Sequence, residues 1–129
     1  MAKVLDSSAV LAFIYDEPGG DKVRPYLPDG IISAVNAAEV LLVLVRKGAL
    51  LEEAERTLER TQLKVLGFSL AGALKTAGFL SPQFRSRGLS LGDRACMATA
   101  LMLQVPVVTA ERSWAGLGVP GLQIELIRG

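Results

Sequence analysis

The chain has 129 residues, half of them apolar, which is enough material for the core of one domain spanning residues 1–129. Fourteen Lys and Arg against thirteen Asp and Glu leave a formal charge of +1, so a strongly basic chain that coats nucleic acid by bulk electrostatics is excluded and any such contact is local. With no histidine and a single cysteine, Cys96, the chain cannot supply a Ser-His or Cys-His pair, a histidine-based ribonuclease mechanism, a His- or Cys-ligated zinc site or an internal disulfide.

"AKVL" (2–5) is a short apolar strand, followed by Asp6-Ser7-Ser8, residues suited to ending a strand and capping a helix through about Tyr15. "DEPGG" (16–20) breaks that helix, and "DKVRPYLPDG" (21–30) reads as a short helical turn. "IIS" (31–33) is a second strand. It feeds an apolar helix from about Ala37 to Lys47, ended by Gly48. The run Val40 to Val45 is apolar all round, which predicts burial on both sides by core packing, a dimer interface or a partner groove.

Residues 50–63 place Leu51, Ala54 and Leu58 on one face of an amphipathic helix, with mixed charges opposite. "KVLGF" (64–68) is a third strand, and 69–80 a helix weakened by two glycines. "SPQFRSRG" (81–88) is a loop carrying Arg85 and Arg87. Residues 89–104 read as cap plus helix, "VPVVT" (105–109) as a buried fourth strand, and "LQIELI" (122–127) as an edge strand. This alternation predicts an α/β domain with a mostly parallel sheet. No apolar run approaches the roughly 18 residues that span a bilayer, and no signal-peptide pattern opens the chain, so a cytoplasmic location without a membrane partner is expected.

In open parallel sheets ligands bind beyond the carboxyl ends of the strands. Four acids fall on that kind of boundary: Asp6 after the first strand, Glu39 in the helix after the second, Asp93 opening the helix before the fourth, and Glu111 two residues past the fourth. Each has a structural alternative. Asn36 to Glu39 fits a capping box with Asn as cap, Ser90 to Asp93 fits the related Ser-x-x-acid pattern, and Asp6 suits an N-cap. Sequestered carboxylates that share one pocket repel each other, and a divalent cation relieves the repulsion. Nothing basic stands within two residues of Asp6 or Glu39. Carboxylates favour Mg²⁺ or Mn²⁺, and such a set serves metal-assisted phosphodiester hydrolysis, which needs no histidine.

With these residues in view, the chain resembles the PIN-domain ribonucleases, and among them the VapC-type toxins of toxin-antitoxin pairs. The resemblance rests on "VLDSSAVLAFIYDEPG", "ISAVNAAEVLLVLVRKG", "LSLGDRACMATALMLQVPVVTAERSW" and "IELIR". It implies a three-layer α/β/α fold with about five strands and a metal site of Asp6, Glu39 and Asp93. It also implies a fourth acid at Glu111, where the family usually has Asp, and a supporting hydroxyl on Thr109. Further implications are Mg²⁺ or Mn²⁺ as cofactor, cleavage of structured RNA such as tRNA or rRNA, a homodimer, and inhibition by a VapB-type antitoxin.

Arg94 and Arg112 each follow one of these acids, and Arg85 and Arg87 precede Asp93. Arginine's planar donor fork suits phosphate, so these four form a candidate basic rim, with solubility or salt bridging as the structural alternative. Two other readings stay open: a decayed, non-catalytic RNA- or partner-binding module, motivated by Glu111, and a phosphoacceptor using Asp6, weakened because position 8 is serine.

Overall fold

Val4 and Leu5 form the first strand, β1, and neither has any exposed surface. Their side chains enter different cores, Val4 with Cys96, Met97 and Val107, Leu5 with Val10, Ile32 and Val108. A strand apolar on both faces belongs in the middle of a sheet covered on two sides. The structure, a computed structural model, describes residues 2–78 and 88–129.

β1 is followed by α1 (Ser7–Ile14), 3-10 turns at Gly20–Lys22 and Arg24–Tyr26, β2 (Ile31–Ser33), α2 (Ala34–Arg46) and α3 (Leu51–Arg60). Then come β3 (Lys64–Leu66), α4 (Leu70–Ala77), α5 (Leu91–Leu103), β4 (Val107–Thr109), a 3-10 turn at Arg112–Trp114 and β5 (Ile124–Leu126). The strand order is β3-β2-β1-β4-β5, and every pairing is parallel. Helices α1, α2 and α3 cover one face, burying Ala9, Val10, Ala37, Val40, Leu44 and Ala54. On the other face α5, with α4 packed on it, buries Cys96, Met97, Ala98 and Ala100 beside Trp114. This is the expected three-layer α/β/α arrangement with five strands. Each fully buried aliphatic side chain contributes about 1.5–3 kcal/mol. No helix among the described residues is long and apolar enough to cross a membrane.

Local chemistry sets most of the element ends. Asp6 caps α1, Ser33 caps α2 and Ser90 caps α5, each side-chain oxygen accepting a backbone N–H three residues on. Gly48 closes α2 at φ +111°, a conformation that favours glycine.

Three expectations need correction. Helix α2 begins at Ala34, not near Ala37, because Ser33 takes the cap and its Oγ accepts from Asn36 N at 3.1 Å. Asn36 is therefore inside the helix, and the capping box assigned to Asn36 and Glu39 does not exist. Core packing within the chain does not bury the run Val40 to Val45 all round: Val40 and Leu44 face the core, while Leu42 is 60% and Val45 42% exposed, since sheet and neighbouring helices cover one side only. Leu51 is likewise exposed, leaving Ala54 and Leu58 as the inward residues of α3. All of the predicted loop 81–88 except Gly88, including Arg85 and Arg87, and the last residues of the 69–80 helix lie outside the described residues.

Candidate active site

Strands β2 and β3 lie to one side of β1, β4 and β5 to the other, so the order of strand addition reverses between β1 and β4. The carboxyl ends at such a reversal splay apart and leave a crevice. Asp6 and Thr109 stand at these two ends. Asp6 continues the parallel pairing, its N–H donating to Val108 O at 3.1 Å, and its side chain meets Thr109 of the neighbouring strand.

Asp6 is 3% exposed. Its Oδ1 accepts from Ala9 N at 2.9 Å and Ser8 Oγ at 2.8 Å, and its Oδ2 from Thr109 Oγ1 at 2.7 Å and Ser8 Oγ at 2.9 Å. Burial pushes its carboxyl up from 3.8 to about 6, against the opposing pull of the bonds from Thr109, Ala9 and Ser8, and the Glu111 charge adds to the rise. Among the described residues, no Lys or Arg acts on it. Hydroxyls and one N–H orient this anion without neutralising it.

Glu39 lies in the second turn of α2. Its Oε1 accepts from Ser7 Oγ at 3.0 Å and Asn36 Nδ2 at 2.8 Å, while Oε2 has no hydrogen-bond partner among the described residues. The carboxylate rests against Gly92 of α5, where a Cβ would overlap it. Asp93 follows in the first turn of α5 and completes a capping box: its Oδ2 accepts from Ser90 N at 2.9 Å, and Ser90 Oγ accepts from Asp93 N at 3.0 Å. Beneath these groups is Cys96, whose thiol is pushed well up by burial, then by the charges of Asp6, Asp93 and Glu39 in that order. One buried thiol thus lies within the electrostatic reach of all three carboxylates.

Thr109 is fully buried and holds Asp6 from across the crevice, and its Oγ1 accepts from Glu111 N at 3.0 Å. Ser8 Oγ accepts from Ala110 N at 3.0 Å, tying the start of α1 to the loop after β4. Glu111 itself is exposed on the crevice rim. Arg112 is exposed beside it, whereas Arg94 directs its Nε to Leu89 O at 3.0 Å. Arg85 and Arg87 lie outside the described residues.

Among the described residues, no three His, Cys, Asp or Glu are grouped tightly enough to enclose a metal as the side chains stand. Asp93 is held by its cap and Asp6 by its hydroxyls. The chemistry of the donor set nevertheless fits a hard cation: the converging groups are oxygen donors, and among the described residues Glu39 Oε2 has no partner and the buried Asp6 carboxylate has no Lys or Arg against it. Ser7 and Gly92 were not singled out by sequence as partners of Glu39, and Asn36 was paired with it only as a helix cap. The signal for Asn36, an i,i+3 spacing, is the same one that suggests a cap.

The fold has counterparts in known structures. The chain resembles a VapBC-1 structure from nontypeable Haemophilus influenzae at a TM-score of 0.74 and 18% identity, covering 98% of each chain. It resembles VapBC2 from Rickettsia felis, bound to a promoter DNA fragment, at 0.73 and 18%, with 98% of each chain covered. A third is VapBC-5 of Mycobacterium tuberculosis, a member of the VapBC family of toxin-antitoxin systems, at 0.68 and 25% identity, covering 97% of this chain and 98% of that one. No curated protein matches the sequence. The PIN domain family model matches residues 3–119, spanning every acid of the crevice from Asp6 to Glu111, and the chain belongs to the PIN domain family.

Proposed function

We propose that this chain is a metal-dependent endoribonuclease of the VapC kind, hydrolysing phosphodiester bonds in structured RNA such as tRNA or rRNA. The observation that carries the reading is Asp6, a buried carboxylate at the β1/β4 reversal that the described residues orient but do not neutralise. PIN domains are typically nucleases, and the similar structures are of VapBC complexes, which supports a small VapB-type antitoxin as partner. A homodimer is part of the same proposal.

Asp6, Glu39 and Asp93 would hold Mg²⁺ or Mn²⁺, with Glu111 reaching in from the rim. The bound cation supplies charge stabilisation at the phosphoryl oxygen and a more acidic water. Thr109 and Ser8 keep the Asp6 oxygens fixed, so the ligand does not have to reorganise as charge develops. Ser7 and Asn36 hold one oxygen of Glu39 and leave the other available. Arg112, exposed next to Glu111, can pair with an RNA phosphate through its planar donor fork.

Purified protein with Mn²⁺ or Mg²⁺ should cleave RNA, and Asp6→Asn or Asp93→Asn should abolish the cleavage. Sequencing of RNA 5′ ends after expression of wild type and Asp93→Asn would then name the target. Equal cleavage by wild type and both variants would sink the proposal. A second reading, a non-catalytic RNA- or partner-binding module, is favoured by the exposure of Glu111 and the open spacing of the acids. Calorimetric metal binding without turnover of any RNA would select it.

A further inference from the structure

We propose that Asn36 is a positioning residue that sets the Glu39 carboxylate and locks it to the end of α5 that carries Asp93. The inference rests on the metal-dependent nuclease reading above. Asn36 is 1% exposed. A buried primary amide is tolerated only where its donors and acceptor are satisfied, and an apolar residue of similar size would fill the same space more cheaply.

Every polar atom of this side chain is engaged. Oδ1 accepts from Ser33 Oγ, and Nδ2 donates to Glu39 Oε1 at 2.8 Å and to Gly92 O at 3.1 Å. The amide cannot be turned over, since that would set its oxygen against two acceptors and its NH₂ against the hydroxyl now bonded to Asn36 N.

The consequence is geometric. Gly92 immediately precedes Asp93, so one amide grips both the Glu39 carboxylate and the backbone beside Asp93, across 56 residues of chain. Ser7 holds the same Glu39 oxygen from α1, and the bare Cα of Gly92 gives the carboxylate room. The chemical type matters too. A Lys at position 36 would neutralise Glu39, and an Asp would repel it, whereas a neutral amide orients the carboxylate and leaves its charge for a cation.

The test uses the full chain, Mn²⁺ titration calorimetry, RNA cleavage kinetics and thermal unfolding of the metal-free protein. Asn36→Leu keeps the volume and removes the bonds; Gly92→Ala displaces Glu39 while leaving Asn36 intact; Glu39→Gln is the reference for loss of the ligand. Asn36→Leu and Gly92→Ala should each weaken Mn²⁺ binding about 10- to 100-fold, the usual loss when a group that orients a ligand is removed. Each should lower kcat with KM for RNA little changed. A purely structural role would shift the unfolding temperature without moving Mn²⁺ affinity. Wild-type affinity in Asn36→Leu, beside loss in Glu39→Gln, overturns the inference and spares the nuclease reading. If Asn36→Leu gives no cooperative unfolding, Gly92→Ala decides alone, and wild-type affinity there overturns the inference. Wild-type affinity in Glu39→Gln removes the nuclease reading and this inference with it.

Discussion

Asp6 and Glu125 are acids of the same sheet with opposite solutions to their charge. Glu125, in edge strand β5, accepts from Lys3 Nζ at 2.5 Å, and Lys3 also lies 4.3 Å from the centre of the Tyr26 ring. The hydrogen bond to Glu125 is the largest influence raising the Lys3 pKa. Asp6, at the end of central strand β1, is more deeply buried, yet it receives only hydroxyls and one backbone N–H. Among the described residues a lysine meets the partly exposed acid and no basic group meets the buried one. A fold that needed both acids only for structure would do the reverse, because an uncompensated buried charge is the more costly. This contrast supports the proposal that Asp6 is kept as an anion for a cation from outside the chain.

Activity should separate the two acids most widely. Asp6→Asn is expected to lower metal-dependent RNA cleavage by about 100-fold or more, the scale of losing a preorganised charge contact. Glu125→Gln should change it less than about twofold. Comparable losses in steady-state assays of the two variants would erase the distinction.

Stability against pH should separate them next. The folded Asp6 carboxyl sits at about 6 against 3.8 for an ordinary aspartate, so the folded state holds its proton more tightly than the unfolded chain does. Stability from this group is full below pH 3.8 and is lost as pH rises through 6, by up to about 3 kcal/mol. Urea unfolding of metal-free wild type should therefore show a loss between about pH 4 and 6.5 that is absent in Asp6→Asn. A parallel pH response in the two proteins would mean that burial does not penalise the charge. Lys3, whose pKa is raised, makes its contribution at neutral pH and loses it only above the ordinary lysine range.

Metal should repair the same penalty. At 100 times its dissociation constant Mn²⁺ stabilises the folded state by about 2.7 kcal/mol, so wild type should gain in thermal unfolding temperature where Asp6→Asn gains little. An equal gain in both would place the metal elsewhere. The smallest effect is expected at the neutralised acid: Glu125→Gln should cost no more than about 1 kcal/mol in urea unfolding, since this pair is partly exposed and screened by solvent.

The residues of the crevice were unequally readable. Asp6 as a cap, and the Ser90–Asp93 capping box, follow from hydrogen bonds that span three residues, so a short stretch of sequence contains both partners. The same rule misread Asn36 to Glu39, because Ser33 offers an equally good cap three residues earlier and the sequence cannot rank the two. Burial of β1 and β4 on both faces was legible as apolar runs between turn signals, but which side of α2 meets water was not, since Leu42 and Leu44 are chemically alike. Exposure depends on which layers the chain folds back against.

What the sequence by itself determined is the chemistry available: parallel α/β alternation, carboxylates without histidine, and acids at the strand ends. Those follow from residue types and from periodicities of two to four residues, which are properties of the local chain. The tertiary structure decided which of these groups meet. Thr109 reaches Asp6 across 103 residues of chain, and Asn36 reaches Gly92 across 56. Only sheet closure, with β4 laid beside β1 and α5 beside α2, brings such partners within bonding distance. Burial, which raises the Asp6 pKa, is set by the same closure, so the charge left unneutralised at the crevice is a property of the fold.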